Sequence, residues 1–492
     1  MPSGVPTIEW WSSLPLLILA ATAIVILLVD AIVPQRGPML SMWLSLLGML
    51  ATIAVIIAYI PPDTKALNQC IAYDTFGRWG AMIALGAGCL IALISPQTIR
   101  LYGLPPAEFF ALLVFSVFGM VVLSLGLELL TIFLTVEIIA VTIYILAGLR
   151  QGSSRSSEAA LKYFILSAFS GGFLIFGFVF LYGGAGGNSL LGQIGLSLIP
   201  ADSPFATSCL ALGLALALVG FSFKLTLVPF HLYAADVFEG SPTPVALLLA
   251  TGSKVAGLVA LIHLLTPLHE HIGPVVRRMS ADVCNLLWIL AALSIVVGNV
   301  VALLQRHIKR MLAYSSIAHS GYLLIAVLVF VDGTVARADT EEAMLVYLVA
   351  YVVMNATAFG VALTLGELGE GNIADYAGLA RRSPGLAFAM AVSMLALTGI
   401  PATVGFVGKF MVFARAVEAG YVLLVILAVL GSAISAYYYL RVVVYMYMRE
   451  PATEIPAEPV GLVQGIGLAL AAVPVVGFGI FPQSLLTLLR IL

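Results

Sequence analysis

Four ionisable residues each sit inside a long apolar run. Glu137 lies in LLTIFLTVEIIAVTIYIL, Lys224 in LALALVGFSFKLTLVPFH, Lys254 in LLLATGSKVAGLVALIH and Lys409 in TGIPATVGFVGKFMVF. A charge at a bilayer centre costs roughly 2.5–3.5 kcal/mol on insertion scales, so such residues are retained for a reason. Proton exchange is the chemistry they suit. Burial disfavours the ammonium form of a lysine and a nearby carboxylate favours it again. A Glu–Lys pair whose separation changes therefore takes up and releases a proton. Neighbouring lysines couple, protonation of one opposing that of the next. With water between them, a row of such groups is a proton relay.

Other titratable residues divide by position. Lys162, early in its run in SEAALKYFIL, either joins the relay or snorkels to the surface. His319, in LAYSSIAHSGYLLI with Ser315, Ser316 and Tyr322 close by, forms a polar patch in an apolar stretch. Its titration range suits a relay, and a hydrogen-bonded structural histidine reads equally well. His231 and His263 fall at the ends of runs, where a channel or an interface would use them. His269, His271 and His307 read as solvated loop residues. Glu128 reads as an interfacial cap. Asp236 and Glu239, in PFHLYAADVFEGSPTPV, either face the cytoplasmic mouth or are ordinary loop acids.

Cofactor chemistry is not expected in this chain. Cys70, Cys89, Cys209 and Cys284 are isolated, which argues against a disulfide framework, a zinc site or an iron–sulfur cluster. No carboxylate cluster joins His269 and His271 as metal ligands. The run Gly183-Gly184-Ala185-Gly186-Gly187 has no strand before it, and Gly408-Lys409 is followed by Phe410, so neither is a phosphate-binding loop.

The elements that position these residues must be membrane helices. Of 492 residues 62% are hydrophobic and 9% charged, and mean hydropathy is +1.12, whereas a soluble chain carries about 25% charge. Lys+Arg 22 against Asp+Glu 24 gives a net charge of −2, so no basic footprint points to nucleic acid. No secretory leader is expected, because the first basic residue, Arg36, follows the first apolar run.

A span needs about 20 apolar residues. Fourteen are predicted, near 14–33, 40–60, 76–95, 107–125, 127–149, 159–182, 206–230, 243–264, 281–304, 310–330, 343–366, 386–416, 421–448 and 461–486. The longest connections, 183–205, 265–280 and 367–385, leave no room for a soluble domain. Ser156-Ser157-Glu158 is expected to start span six, with serine as N-cap and Glu158 in the first turn. Arg36, Arg100, Arg150, Arg155, Arg306, Lys309, Arg310, Arg381, Arg382 and Arg449 collect on one side, and Lys65, Arg277, Arg278 and Arg337 on the other. The richer side is expected to be cytoplasmic, and an even number of spans then puts both termini outside.

Pro229, near the end of span seven, and Pro401, amid span twelve, each remove a helical hydrogen bond and predict discontinuous helices. The breaks lie five spans apart, at corresponding places in spans 4–8 and 9–13. Paired interruptions point to an inverted repeat with a transport site at its interface, or else to prolines of the kind common in membrane helices.

With these residues in hand, the sequence resembles the antiporter-like membrane subunits of respiratory complex I over nearly its whole length. Lys224-Leu-Thr-Leu-Val-Pro-Phe-His231, Ser241-Pro-Thr-Pro-Val245 with Lys254 downstream, and the stretch Ile308 to Tyr322 carry the resemblance. Lys409, where a similar member type has glutamate, and the end of the chain after span fourteen, without a long lateral helix, single out one member type. The resemblance implies an all-α integral membrane protein of about 14 helices, with two inverted five-helix repeats and helices 7 and 12 discontinuous. It divides the single membrane domain 1–492 into N-terminal helices 1–3 (1–106), a first repeat of helices 4–8 (107–264), a second of helices 9–13 (281–448) and helix 14 (461–486).

In that reading Glu137 pairs with Lys224, Lys254 relays the proton laterally and Lys409 ends the relay. Lys162 tunes the pair, His319 is a polar relay position and His231 a secondary candidate. The resemblance implies proton translocation driven by quinone reduction elsewhere in an NADH–quinone oxidoreductase of a bacterial inner membrane. Partners would be the other membrane subunits and the peripheral redox arm, which would hold FMN, iron–sulfur clusters and quinone. A multi-subunit cation/proton antiporter of the same fold, and a structural spacer, are the competing readings.

Overall fold

The computed structural model describes residues 10–33, 37–197, 204–270, 274–366, 371–451 and 460–491; Arg36 and His271 lie outside them. The chain opens with α1 (Trp10–Ile32), α2 (Pro38–Tyr59), a hairpin of β1 (Thr64–Ala66) and β2 (Ile71–Tyr73), and α3 (Thr75–Tyr102). A first set follows: α4 (Pro106–Leu125), α5 (Leu129–Ala147), α6 (Ser154–Gly184), the short α7 (Leu191–Ser197), α8 (Pro204–Lys224), α9 (Ala234–Gly240), α10 (Thr243–Ala250) and α11 (Gly252–Glu270). A second set is α12 (Pro274–Leu304), α13 (Ile308–Asp332), α14 (Arg337–Gly366), the short α15 (Leu379–Arg382), α16 (Pro384–Thr398), α17 (Val404–Glu418) and α18 (Val422–Met448). The chain closes with α19 (Leu462–Ile480) and α20 (Pro482–Ile491).

Among the described residues, thirteen helical segments are long and apolar enough to cross a membrane, α10 and α11 together forming one. The broken pair α16–α17 supplies the fourteenth crossing. Among the described residues the architecture is all-α apart from the two-stranded hairpin, in which Thr64 pairs with Tyr73 and which the apolar periodicity did not signal. Apolar side chains such as Ile24, Leu28, Leu47, Phe176 and Leu430 point outward, as a lipid solvent permits, while α3, α10–α11, α13 and α14 are buried almost all round. These inner helices carry most of the buried ionisable groups.

Local chemistry sets the helix ends. Asp74 caps α3 by accepting the Gly77 N–H at 2.9 Å, and Glu128 caps α5 through the Thr131 N–H at 2.7 Å, as expected of an interfacial carboxylate. Span six starts earlier than its sequence suggested. Its N-cap is Ser153, which accepts from Ser156 N–H at 3.3 Å, and Glu158 sits a turn further in, paired with Lys162 at 2.7 Å. Two long connections are also more ordered than expected: α7 lies within 183–205, and 265–280 is largely the end of α11 and the start of α12. His269 therefore belongs to α11, its ring stacked on Phe330 and its Nδ1 3.0 Å from the Phe330 carbonyl. His307 is likewise no solvated loop residue. It caps α13, and burial, with the Lys309 charge beside it, pushes its pKa down to about 4.

Both discontinuities exist. Between α8 and α9 the chain is irregular through 225–233, with a cis peptide at Pro229. Between α16 and α17, Gly399 ends the helix at φ +91° and Thr403 restarts it. Thr226 and Ala402 hold positive φ values of 57° and 69°, a costly conformation for non-glycine residues that concentrates at functional sites. Backbone freed at membrane depth must find partners inside the protein. Accordingly, the Val228 N–H donates to Ser294 Oγ at 3.0 Å and Tyr233 Oη to the Phe223 carbonyl at 3.1 Å. The first broken helix runs toward the arginine-rich face, where α9 meets Arg310. The second starts at that face, after Arg381 and Arg382, and runs away from it.

Candidate functional site

Lys224 is the last residue of α8, 5% exposed, and its Nζ is buried without a hydrogen-bond partner. Glu137, mid-way along α5, lies within electrostatic reach of Lys224, but no ion pair joins the two. The expected pair is thus an open one. Gly171 of α6 lets the carboxylate in: a Cβ there would collide with Glu137 Oε1. The Lys224 stem lies against Gly257 of α11, one turn from Lys254.

Lys254 is fully enclosed and has no carboxylate. Its Nζ donates to Thr226 Oγ1 at 2.6 Å, to Ser316 Oγ and the Ser316 carbonyl at 2.6 and 2.9 Å, and to Ser320 Oγ at 2.9 Å. It therefore ties the strained residue of the first break to α13. Ser316 Oγ also bonds Tyr351 Oη at 2.7 Å. Between Ser316 and Ser320 on the same helix, His319 places Nδ1 2.8 Å from Tyr347 Oη and Nε2 3.4 Å from Tyr439 Oη. Tyr439 in turn bonds Ser315. The His319 ring packs edge-on to Tyr322 at 5.6 Å.

Lys409 completes the line. Its Nζ stands 5.0 Å over the Tyr322 ring and donates to the Leu397 and Thr398 carbonyls at 2.9 and 3.0 Å and to Ser432 Oγ at 2.9 Å. Those carbonyls end α16, where the helix leaves acceptors without donors and the dipole is negative. Lys224 precedes its break and Lys409 follows its own, yet the long Lys409 side chain brings its ammonium back to the break.

The remaining candidates go elsewhere. Lys162 is half-buried and bonds Asp236 at 2.5 Å and Glu158 at 2.7 Å; its direct partners are these acids, and no bond joins it to Glu137. Asp236 and Glu239 lie on α9 and are not loop acids: both bond Arg310 Nη1, at 2.7 and 2.8 Å. With Arg155 they line a cavity of about 190 Å³ open at the arginine-rich face. His231 sits in the first break beside Tyr314, ring centroids 6.5 Å apart, its Nδ1 without a partner. His263 is held by Asp74, with Nε2 3.2 Å from Oδ2.

Sequence reasoning missed Tyr347, Tyr351, Tyr438, Tyr439, Asn299 and Ser432. A signal existed: membrane tyrosines gather at the interfaces, whereas Tyr347 and Tyr351, four apart on α14, and the Tyr438–Tyr439 pair of α18 are mid-helix. Asn299 accepts from Tyr438 and donates to Tyr322, both at 3.0 Å.

A polytopic helical protein with two oppositely running broken helices, and buried lysines at both breaks, is of the antiporter-like membrane-subunit class. The chain belongs to the family described as NADH:quinone oxidoreductase/Mrp antiporter, transmembrane, whose sequence profile matches residues 126–435. Relatives named NADH-quinone oxidoreductase subunit N include one from Trichlorobacter lovleyi, 38% identical over 96% of this chain and 94% of its own length. A relative from Roseiflexus castenholzii, named subunit N 2, is 36% identical over 99% and 97%. Among solved structures, a chain of respiratory complex I from Thermus thermophilus is 32% identical, with TM-score 0.79 over 96% of this chain and 98% of that one. A chain of the Mrp complex from Dietzia sp. shares the fold, at TM-score 0.78 and 18% identity over 98% and 96%.

Proposed function

We propose that this chain is the subunit-N-type proton-translocating subunit of a redox-driven NADH–quinone oxidoreductase in a bacterial inner membrane. The reading is carried by one observation: between the buried lysines of the two broken helices, Lys224 and Lys409, lie two hydrogen-bonded groups of buried side chains, Lys254–Ser316–Tyr351 and Tyr347–His319. Protons are taken up at the cavity between Arg155, Asp236 and Arg310, on the cytoplasmic side. The charge of Lys224 is set by the distance to Glu137, and Lys254, whose partners are all neutral, responds to it. His319 and its tyrosines pass the proton on to Lys409. The first repeat, 107–264, and the second, 281–448, each contribute one broken helix, and both termini face outward. FMN, iron–sulfur clusters and quinone belong to partner subunits, and electron transfer there supplies the free energy; moving one charge against 100 mV takes about 2.3 kcal/mol.

Gentle detergent extraction of the tagged chain tests this. Co-purifying material is expected to reduce quinone with NADH and to contain flavin and iron–sulfur subunits. Recovery of membrane subunits alone, with sodium-dependent transport and no redox partner, would replace this reading with a cation/proton antiporter.

Gly171→Val is expected to lower pumping in an assembled complex, because overpacking costs about 1–3 kcal/mol and the collision falls on the Glu137 carboxylate. Proton uptake into vesicles measures it. Wild-type uptake would show that the position of the carboxylate is immaterial.

A further inference from the structure

One charged cluster, partly buried and built around a buried histidine, lies apart from the relay. His263 of α11 is 3% exposed; Asp74 holds its Nε2, and its Nδ1 is buried with no hydrogen-bond partner. Arg337 and Glu341, in the first turns of α14, are joined at 2.7 Å and lie within electrostatic reach of both His263 and Asp74. Three helices thus bring together an imidazole, two carboxylates and a guanidinium at the face poor in arginine. Asp74 lies outside the spans; burial pushes its carboxyl up, but His263, the Gly77 N–H and Arg337 outweigh this, leaving its pKa below the ordinary value.

The two helices that end here are relay helices. His263 follows Lys254 by nine residues on α11, about 14 Å of rise, and Glu341 precedes Tyr347 by six on α14, about 9 Å. A clamp between α3 and α11 needs only the Asp74–His263 bond. It does not account for the second ring nitrogen, since a buried polar atom left unsatisfied costs about 1–3 kcal/mol. A nitrogen waiting for a proton does.

We infer that His263, with Asp74 and Glu341, hands protons from the relay to the outer face. This rests on the relay proposed above. His263 Nδ1 accepts a proton from the relay side, giving an imidazolium between two carboxylates, with Arg337 limiting their excess negative charge. The Nε2 proton leaves through Asp74 to outside water. The ring then carries its proton on Nδ1, and a half-turn of the ring restores the accepting nitrogen.

The test uses the whole complex in phospholipid vesicles, oriented to pump inward, with lumen pH set. His263→Gln keeps a hydrogen bond to Asp74 but carries no proton. Pumping is expected to fall to the level that Lys224→Ala gives, and the dependence of turnover on lumen pH to flatten, with an unchanged melting temperature. Wild-type pumping with a wild-type pH profile in His263→Gln overturns the inference. If that variant does not assemble, Glu341→Gln gives the same readout, and a wild-type pH profile there overturns it equally. Lys224→Ala is measured alongside. Normal pumping in that variant sinks the relay itself, whereas a block there with none in His263→Gln removes only the exit.

Discussion

Lys224→Ala is expected to cut proton pumping by the assembled complex about 100-fold or more, the usual scale for losing a positioned proton-transfer group, while barely moving its melting temperature. Stability is retained because the Lys224 Nζ is buried without a hydrogen-bond partner. Removing it orphans no acceptor. Losing the packed stem, at about 0.8 kcal/mol per methylene, is offset by removing an ammonium whose burial itself costs several kcal/mol. Function and stability therefore separate at this residue. The two measurements are the proton-to-electron ratio in vesicles and the thermal melting of the purified complex. An unchanged ratio would sink the assignment of Lys224 to the relay.

Lys409→Ala is expected to damage both. The ammonium satisfies two terminal carbonyls of α16 and Ser432 Oγ, and hydrogen bonds from a charged donor contribute about 1.5–3 kcal/mol each. Without it, α16 ends in unmatched acceptors beside Ala402, whose φ is already positive. Pumping should fall as for Lys224→Ala, and the melting temperature should fall as well. Lys409→Arg, which keeps a donor for the same carbonyls, should restore the melting temperature more than the pumping. A variant that melts lower yet pumps normally would make Lys409 a helix cap and nothing more.

The contrast between these lysines was only half legible in the sequence. That Lys224, Lys254 and Lys409 are buried followed from their apolar surroundings, because the bilayer forbids unpaired charge without cause. Their partners did not follow. Lys254 meets Thr226, Ser316 and Ser320, separated from it by 28, 62 and 66 residues, and no periodicity links such positions. For the same reason the sequence left open whether Lys162 joins the relay or snorkels, and did not show that it bonds Asp236, 74 residues on. His307 looked solvated because it sits between two helices, but the start of α13 is packed against the chain near Gly371.

Local composition along the chain was enough to specify the solvent, the number of crossings, the two broken helices and the burial of Lys224, Lys254 and Lys409. Each of these depends on local composition or on a proline's missing N–H, which neighbours along the chain specify. Packing between distant helices sets Glu137 and Lys224 apart, gathers tyrosines from α14 and α18 around His319, and brings His263 onto Asp74 within electrostatic reach of Glu341. Those relations depend on how buried helices rotate and register against one another. That choice is made by shape and by hydrogen bonds between distant residues, with hydrophobicity much the same on every face.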